Sequence, residues 1–445
     1  MSIATGLGQA ELPARDAKLI GANQKLRFFP LSIVSANGSE VTDHTGRTLL
    51  DLSAAWGANG VGHAHPRVVA AVQDAAAAGG SASVLSAMSP AATALAEKLL
   101  SIVPAAVPAD QRVILGHSGT DANSAALAAA RAATGRSGVV AFAGGYHGGF
   151  GAAQQVSGVF IADGLPAAEG TRLLEFPVAT GEADRDAQTR DTVLSALDRA
   201  LADGSIAAVI VEPMQSDGGV LVPPAGFLAG VAERAKAAGA LLICDEVKIG
   251  LGRTGKWHGF SHEGVIPDLV TFGKSLGGGL PLSAVTGPAW ALDVAPASTL
   301  LTTAGNSISA AAGLAVLNVI EAEGLATNAQ ERGEQFRALI REAQQQRPEI
   351  LEIRGLGLSL GIELIDPRTP EDLPAAAELT RRVIFRMWQL GVVCYLVRGN
   401  VIELTPPLNL SARDAERAVE TLTRAIADVR AGLVTDADIA PFLGW

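Results

Sequence analysis

Short apolar runs alternate with longer, Ala-rich periodic stretches through the middle of the chain. Val113-Ile114-Leu115 leads into a helical pattern over residues 120–134, and Val139-Val140-Ala141-Phe142 follows. A run over 207–211 leads through a loop to a helix over 226–238. Further runs follow at 241–244 and 269–272, and a helix over 307–322. Brief, fully apolar strands between helices predict an α/β unit: a mostly parallel sheet covered on both faces. The flanks differ. Residues 1–25 read as a loose arm. Asn37-Gly38 marks a hairpin between Val34 and Val41, residues 49–52 give another strand, and residues 66–100 read helix, loop, helix. Beyond 330 the order is helix (331–346), strands (351–353 and 358–364), helix (374–390), strands (392–396 and 401–405) and helix (411–431). That is an α+β pattern. Three regions are expected: residues 1–65, packing with the C-terminal part, a large domain over 66–330, and a small domain over 331–445.

Composition agrees with a two-domain enzyme and narrows its partners. The 445 residues are 48 % hydrophobic and 18 % charged, so a large core is easily buried. The net charge of −11 and the lack of a Lys/Arg run argue against nucleic acid and anionic membrane. No apolar run approaches the roughly 18 residues that span a bilayer, and the first residues contain no apolar signal segment. The two cysteines, Cys244 and Cys394, sit in apolar runs and read as core residues. A cytoplasmic setting is expected.

Four stretches carry candidate chemistry. His117-Ser118-Gly119-Thr120-Asp121 opens a helix; its bare N–H groups and the Thr120 hydroxyl suit a phosphate, although the same residues simply cap helices well. Tyr146 and His147 lie among four glycines just after a strand, where α/β ligands bind, and can stack on a flat ring. Asp245 ends an apolar strand, and a carboxylate there needs a partner such as a protonated ring nitrogen, an arginine or a backbone N–H. Lys274, the last of seven lysines, follows the strand ending at Phe272. Partial desolvation there lowers the proton affinity of an amine and suits Schiff-base chemistry.

Three other motifs are set aside. Gly273-Lys274-Ser275 ends like a P-loop, but Asp268 stands where that motif demands glycine. His63 and His65 lack further ligands at metal spacing and read as a turn. The glycines of 355–361 run on into strand spacing, so they are no dinucleotide fingerprint.

Asp245-Glu246-Val247, Gly252-Arg253-Thr254-Gly255, Pro267-Asp268 and Lys274 with its glycines together resemble the class III aminotransferases. The resemblance runs from about residue 25 to 445. It implies a fold-type I architecture, with a seven-stranded, mostly parallel sheet and a smaller α+β domain. It also implies pyridoxal 5′-phosphate (PLP) held as a Schiff base on Lys274. By position, Asp245 would pair with the ring nitrogen, Tyr146 would stack on the ring, and Ser118, Gly119 and Thr120 would hold the phosphate. His147, Glu212, Val247 and Lys248 would complete the cofactor site. Thr302 would reach the phosphate of a neighbouring subunit, which implies a homodimer with shared active sites.

Three departures from the family pattern point to one branch. Lys248 replaces the usual Gln, Glu403 stands where many members carry a carboxylate-binding Arg, and Asp217 follows Glu212-Pro213. These residues, with 24–31, 51–57 and the terminal Gly444-Trp445, are similar to the α-amino-ε-caprolactam racemases. The resemblance implies a substrate without a free carboxylate, a lactam or α-amino acid amide, held by Trp56 and Tyr146 beside Phe28 and Asp217. Glu403 is expected to repel a carboxylate. Lys274 would be the base on one face of Cα and Asp217 the acid/base on the other, assisted by Tyr146 and oriented by Lys248. The alternative is a class III aminotransferase acting on an amine or amino acid; the two differ only in where the proton returns.

Overall fold

The computed structural model describes residues 12–79, 84–294 and 296–442. Its centre is a seven-stranded sheet whose spatial order is Gln111–Gly116, Ser283–Pro288, Leu269–Phe272, Leu241–Asp245, Ile206–Val211, Gly138–Phe142 and Thr171–Leu174. Ser283–Pro288 is antiparallel to both neighbours, and the other pairings are parallel. Two reversals across that strand make Gln111–Gly116 run with the rest. The carboxyl ends of six strands therefore share one edge. Ile206–Val211, Leu241–Asp245 and Leu269–Phe272 are buried at every position, as strands covered on both faces must be.

Helix Gly119–Thr134 packs on this sheet. Ser118 caps it with a full capping box to Asp121, and Gly135, in the left-handed conformation at φ 68°, ends it. The sequence pattern does not anticipate Thr171–Leu174, Ser283–Pro288 or the helix Ala183–Leu201. The first is a half-exposed edge strand, the second carries Ser, Gly and Pro, and the helix buries residues only in its second half. The arm also differs from expectation, since Leu12–Leu19 is helical with no buried residue.

The chain returns through helix Leu325–Gln344, which starts six residues before the expected 331. A four-stranded antiparallel sheet follows, ordered Ile350–Leu356, Ser359–Leu364, Val401–Leu404, Tyr395–Val397. The run expected as one strand over 392–396 is two. Val392–Val393 pairs in parallel with Leu50–Asp51 of the N-terminal sheet, while Tyr395–Val397 pairs with Val401–Leu404. This break joins the N-terminal strands to the C-terminal region and turns Tyr395 toward Trp56. The N-terminal hairpin turns one residue later than Asn37-Gly38 suggests, because Asn37 pairs with Glu40 and Gly38-Ser39 form the loop.

Candidate active site

Loops at the carboxyl edge of the sheet converge on a cavity of about 130 Å³. Gly119 and Thr120 enter it from the helix after Gly116, Tyr146 and His147 from the loop after Phe142, and Glu212 from the end of Val211. Asp245, Val247 and Lys248 follow the central strand, and Lys274 follows Phe272. This is where open α/β sheets bind ligands.

Asp245 is 3 % exposed and fully engaged. Its Oδ2 accepts hydrogen bonds from Asn123 Nδ2 and His147 Nδ1, both at 2.8 Å, and its Oδ1 accepts from the Val247 N–H at 3.0 Å. Asn123 also donates to the His147 carbonyl and accepts from Thr271 Oγ1. The carboxylate is thus fixed in orientation while still lining the cavity. Such a group suits a cationic partner that is not part of the chain.

Lys274 has a left-handed backbone, φ 41°, a strained conformation for a side-chain-bearing residue. Its amine makes no hydrogen bond or ion pair among the described residues and lies 6.0 Å from the Tyr146 ring centroid. Burial, followed by repulsion from the Lys248 cation, lowers its proton affinity. Burial and the Asp217 charge raise that of the Tyr146 hydroxyl. Glu212 binds the N–H groups of Tyr146 (2.8 Å) and Ser216 (3.1 Å), tying two site loops together. Burial pushes its carboxyl up to about 7. Gly119 is required by contact: a Cβ there would lie 2.5 Å from Val247 Cγ1.

A second cavity of about 230 Å³ shares Tyr146, Asp217, Lys248 and Lys274 with the first and is lined also by Leu26 and Trp56. Lys248 is buried between two carboxylates. Its Nζ is 2.7 and 2.9 Å from the oxygens of Glu403 and 3.5 Å from Asp217 Oδ1. Burial opposes its charge, but Asp217 and Glu403 outweigh burial and push it up to about 12. The ammonium also lies 5.3 Å from the Trp56 ring centroid. Trp56 ends three successive left-handed residues (Ala54, Ala55 and Trp56 at φ 48°, 53° and 60°) and stacks on Tyr395 at 4.9 Å. Asp51, accepting from the Ser53 and Ala54 N–H groups, and Thr405, donating to the Ser53 carbonyl, pin this turn.

Several expected residues lie elsewhere. Ser118 uses its hydroxyl to accept from the Asp121 N–H, so it caps the helix and does not line the cavity. Phe28 is buried behind the site, 5.3 Å from Tyr395 and 6.3 Å from Trp56, and lines neither cavity. Thr302 is exposed and outside both cavities. Gly444 and Trp445 lie outside the described residues. Glu403 does not face the substrate space: it is 2 % exposed and ion-paired, so direct repulsion of a carboxylate is replaced by a salt bridge. His65 accepts from the Arg67 N–H at a helix start, and His63 pairs with Asp51. Asn123 and Tyr395 were not singled out from sequence. Asn123 follows Thr120 by three residues on one helix face, which was the available signal.

The cavity fits PLP on its own terms. It offers an unpartnered amine of lowered proton affinity, a fixed buried carboxylate, and a helix start with a hydroxyl and a close backbone approach. A model of the family described as aminotransferase class-III matches residues 20–426. The chain is 34 % identical to an isoleucine 2-epimerase of Lentilactobacillus buchneri, covering 98 % of both chains. It is 32 % identical to an alanine/serine racemase of Pyrococcus horikoshii, over 95 % of this chain and 91 % of that protein. Among solved structures it is similar to the ornithine aminotransferase of Toxoplasma gondii, with TM-score 0.83 and 28 % identity over 96 % of both chains. Racemases and aminotransferases are thus both among its relatives.

Proposed function

The chain belongs to the class III aminotransferase family of PLP enzymes, and on that premise we propose that it racemises α-amino acid amides and lactams such as α-amino-ε-caprolactam. The observation that carries this reading is the pair of groups suited to proton transfer, Lys274 and Asp217, lining one cavity whose only other cation among the described residues is already matched by carboxylates. No arginine lines either cavity among the described residues. Lys248 already faces two carboxylates, so a substrate carboxylate would add a third negative charge to one ammonium. A neutral amide avoids that penalty, and Trp56 and Tyr146 give it a flat, apolar wall with one hydroxyl.

When bound, PLP supplies a conjugated ring that takes up the electron pair left at the substrate Cα. Asp245, oriented by Asn123 and His147, would hold the ring nitrogen of that group. Gly119 and Thr120 would hold the phosphate, with Val247 and Tyr146 beside the ring. Lys274, whose amine is poised by burial, takes or returns the Cα proton on one face. Asp217 does so on the other, with Lys248 orienting it. Groups of this kind contribute about 10²–10⁴-fold each. Thr302, exposed on this chain, would serve the phosphate of a second subunit, so the working form is read as a homodimer. The buried thiols of Cys244 and Cys394 suit a reducing cytoplasm.

The test compares loss of optical activity from single enantiomers of the lactam, a linear α-amino acid amide and the free amino acid. The reading requires the neutral substrates to be turned over fastest. Preference for the free amino acid would overturn the substrate class. A strict need for a keto-acid acceptor would establish the aminotransferase instead.

A further inference from the structure

We infer that Glu403 is a positioning residue that takes the shorter contacts of the Lys248 ammonium, so that Lys248 orients Asp217 through a marginal contact and leaves it free to act as the base. This rests on the racemase reading above, in which Asp217 handles a Cα proton. Lys248 could pair with either carboxylate, yet it sits 2.7 and 2.9 Å from the oxygens of Glu403 and only at the edge of hydrogen-bond range, 3.5 Å, from Asp217.

Both ends of this arrangement are fixed. Glu403 lies on Val401–Leu404, an interior strand of its sheet, cross-strand from Gly361 on one side and Tyr395 on the other. Asp217 rides on a short loop closed by the Gln215–Leu221 bridge. Two arginines of the C-terminal region grip that loop: Arg354 donates to the Gly219 carbonyl at 2.9 Å and Arg398 to the Gly218 carbonyl at 3.3 Å. At Gly218 a Cβ would lie 2.4 Å from Gln215 Oε1 and 2.7 Å from the Gly144 carbonyl, so the loop is seated on its neighbour. Asp217 therefore cannot easily follow the ammonium, and the ammonium is drawn to Glu403.

The charges around Asp217 decide the sign. Lys248 faces it as a cation, Lys274 as an amine of lowered proton affinity, Glu212 and Glu403 as carboxyl groups, and Tyr146 as a hydroxyl. Removing the Glu403 charge takes away one repulsion and lets Lys248 turn wholly to Asp217. Both changes favour the carboxylate over the acid, because an opposite charge at close range stabilises the ionised form. A weaker base removes a Cα proton more slowly.

The experiment is Glu403→Gln, read by the pH profile of inversion and by Cα deuterium exchange of each lactam enantiomer separately. The acid limb should move down by about one unit or more. Exchange should slow roughly tenfold for the enantiomer whose proton faces Asp217, and far less for the other. Adding Glu403→Gln to Lys248→Gln should then move the limb much less than Glu403→Gln moves it in wild type, because only the lost repulsion remains and no ammonium is left to redirect; an equal movement in both backgrounds would overturn the inference. Equal slowing of both enantiomers with an unmoved limb would overturn the inference and leave Glu403 structural. If Glu403→Gln does not fold, Glu403→Asp, which retracts the carboxylate from Lys248, should move the limb the same way by less; an unmoved limb there is equally fatal. Asp217→Asn separates the two readings: unchanged inversion in that variant sinks the role of Asp217 itself, whatever Glu403 does.

Discussion

Replacing Lys248 with Met removes the cation between two carboxylates while keeping a similar side-chain length. Glu403, 2 % exposed, then holds a buried charge with no counter-ion. Removing one partner of a buried pair costs about 3–5 kcal/mol. The pH dependence follows from the direction of the Glu403 shift. Burial raises its proton affinity above the ordinary 4.5 and Lys248 works against that, so the rise grows when Lys248 is gone. A carboxyl raised in the folded state favours the fold fully below its unfolded value and loses that contribution as pH climbs through the folded value. The variant should therefore match wild type most closely below about pH 4.5 and fall progressively behind it as pH rises from there. In wild type the ammonium, pushed up to about 12, itself stays charged across that range and offsets part of the rise at Glu403. Denaturant unfolding of wild type, Lys248→Met and Lys248→Met with Glu403→Gln, at acid and neutral pH, reads this directly. The double variant should regain most of the stability, since a neutral amide needs no counter-charge. A deficit independent of pH, or none at all, would refute the buried-pair reasoning.

Three further outcomes are expected. Lys274→Ala should lose the visible absorbance of the lysine-bound cofactor; a spectrum like that of wild type would remove Lys274 from that role. Asp217→Asn should slow lactam inversion by about 10²–10⁴-fold while cofactor titration changes little, and a parallel loss of cofactor would make Asp217 a binding residue. Gly119→Ala drives a Cβ to within 2.5 Å of Val247 Cγ1. Overpacking of that kind costs about 1–3 kcal/mol, so cofactor should dissociate roughly ten- to hundredfold more readily; retention equal to wild type would mean that Val247 shifts without consequence.

Much of the site could be read from local pattern because each piece lies at the end of an apolar strand. Asp245 and Lys274 are conspicuous as charges after fully buried runs, and Tyr146-His147 as rings among glycines. What local pattern could not give is pairing between distant segments. Glu403 looked like a charge facing substrate, but its partner lies 155 residues earlier in the chain, on Lys248. Ser118 and Phe28 carried suitable chemistry and are spent on a helix cap and an aromatic stack. Tyr395, one of only two tyrosines, was read as part of one strand. Its place against Trp56 depends on a break at Cys394 that apolar periodicity does not reveal. The antiparallel strand Ser283–Pro288 was hidden by its Ser, Gly and Pro, yet it sets the edge on which Gly119 and Thr120 sit.

On the proposed function, this enzyme moves a proton across Cα rather than moving an amino group. The most direct test is proton NMR and chiral analysis of one α-amino-ε-caprolactam enantiomer incubated with holoenzyme in deuterated water, with no keto acid present. Continuous turnover to the racemate is expected, with solvent deuterium entering Cα of the inverted product and no ketone formed. Turnover that stops after one equivalent per active site, and resumes only when an amino acceptor is added, would contradict that function.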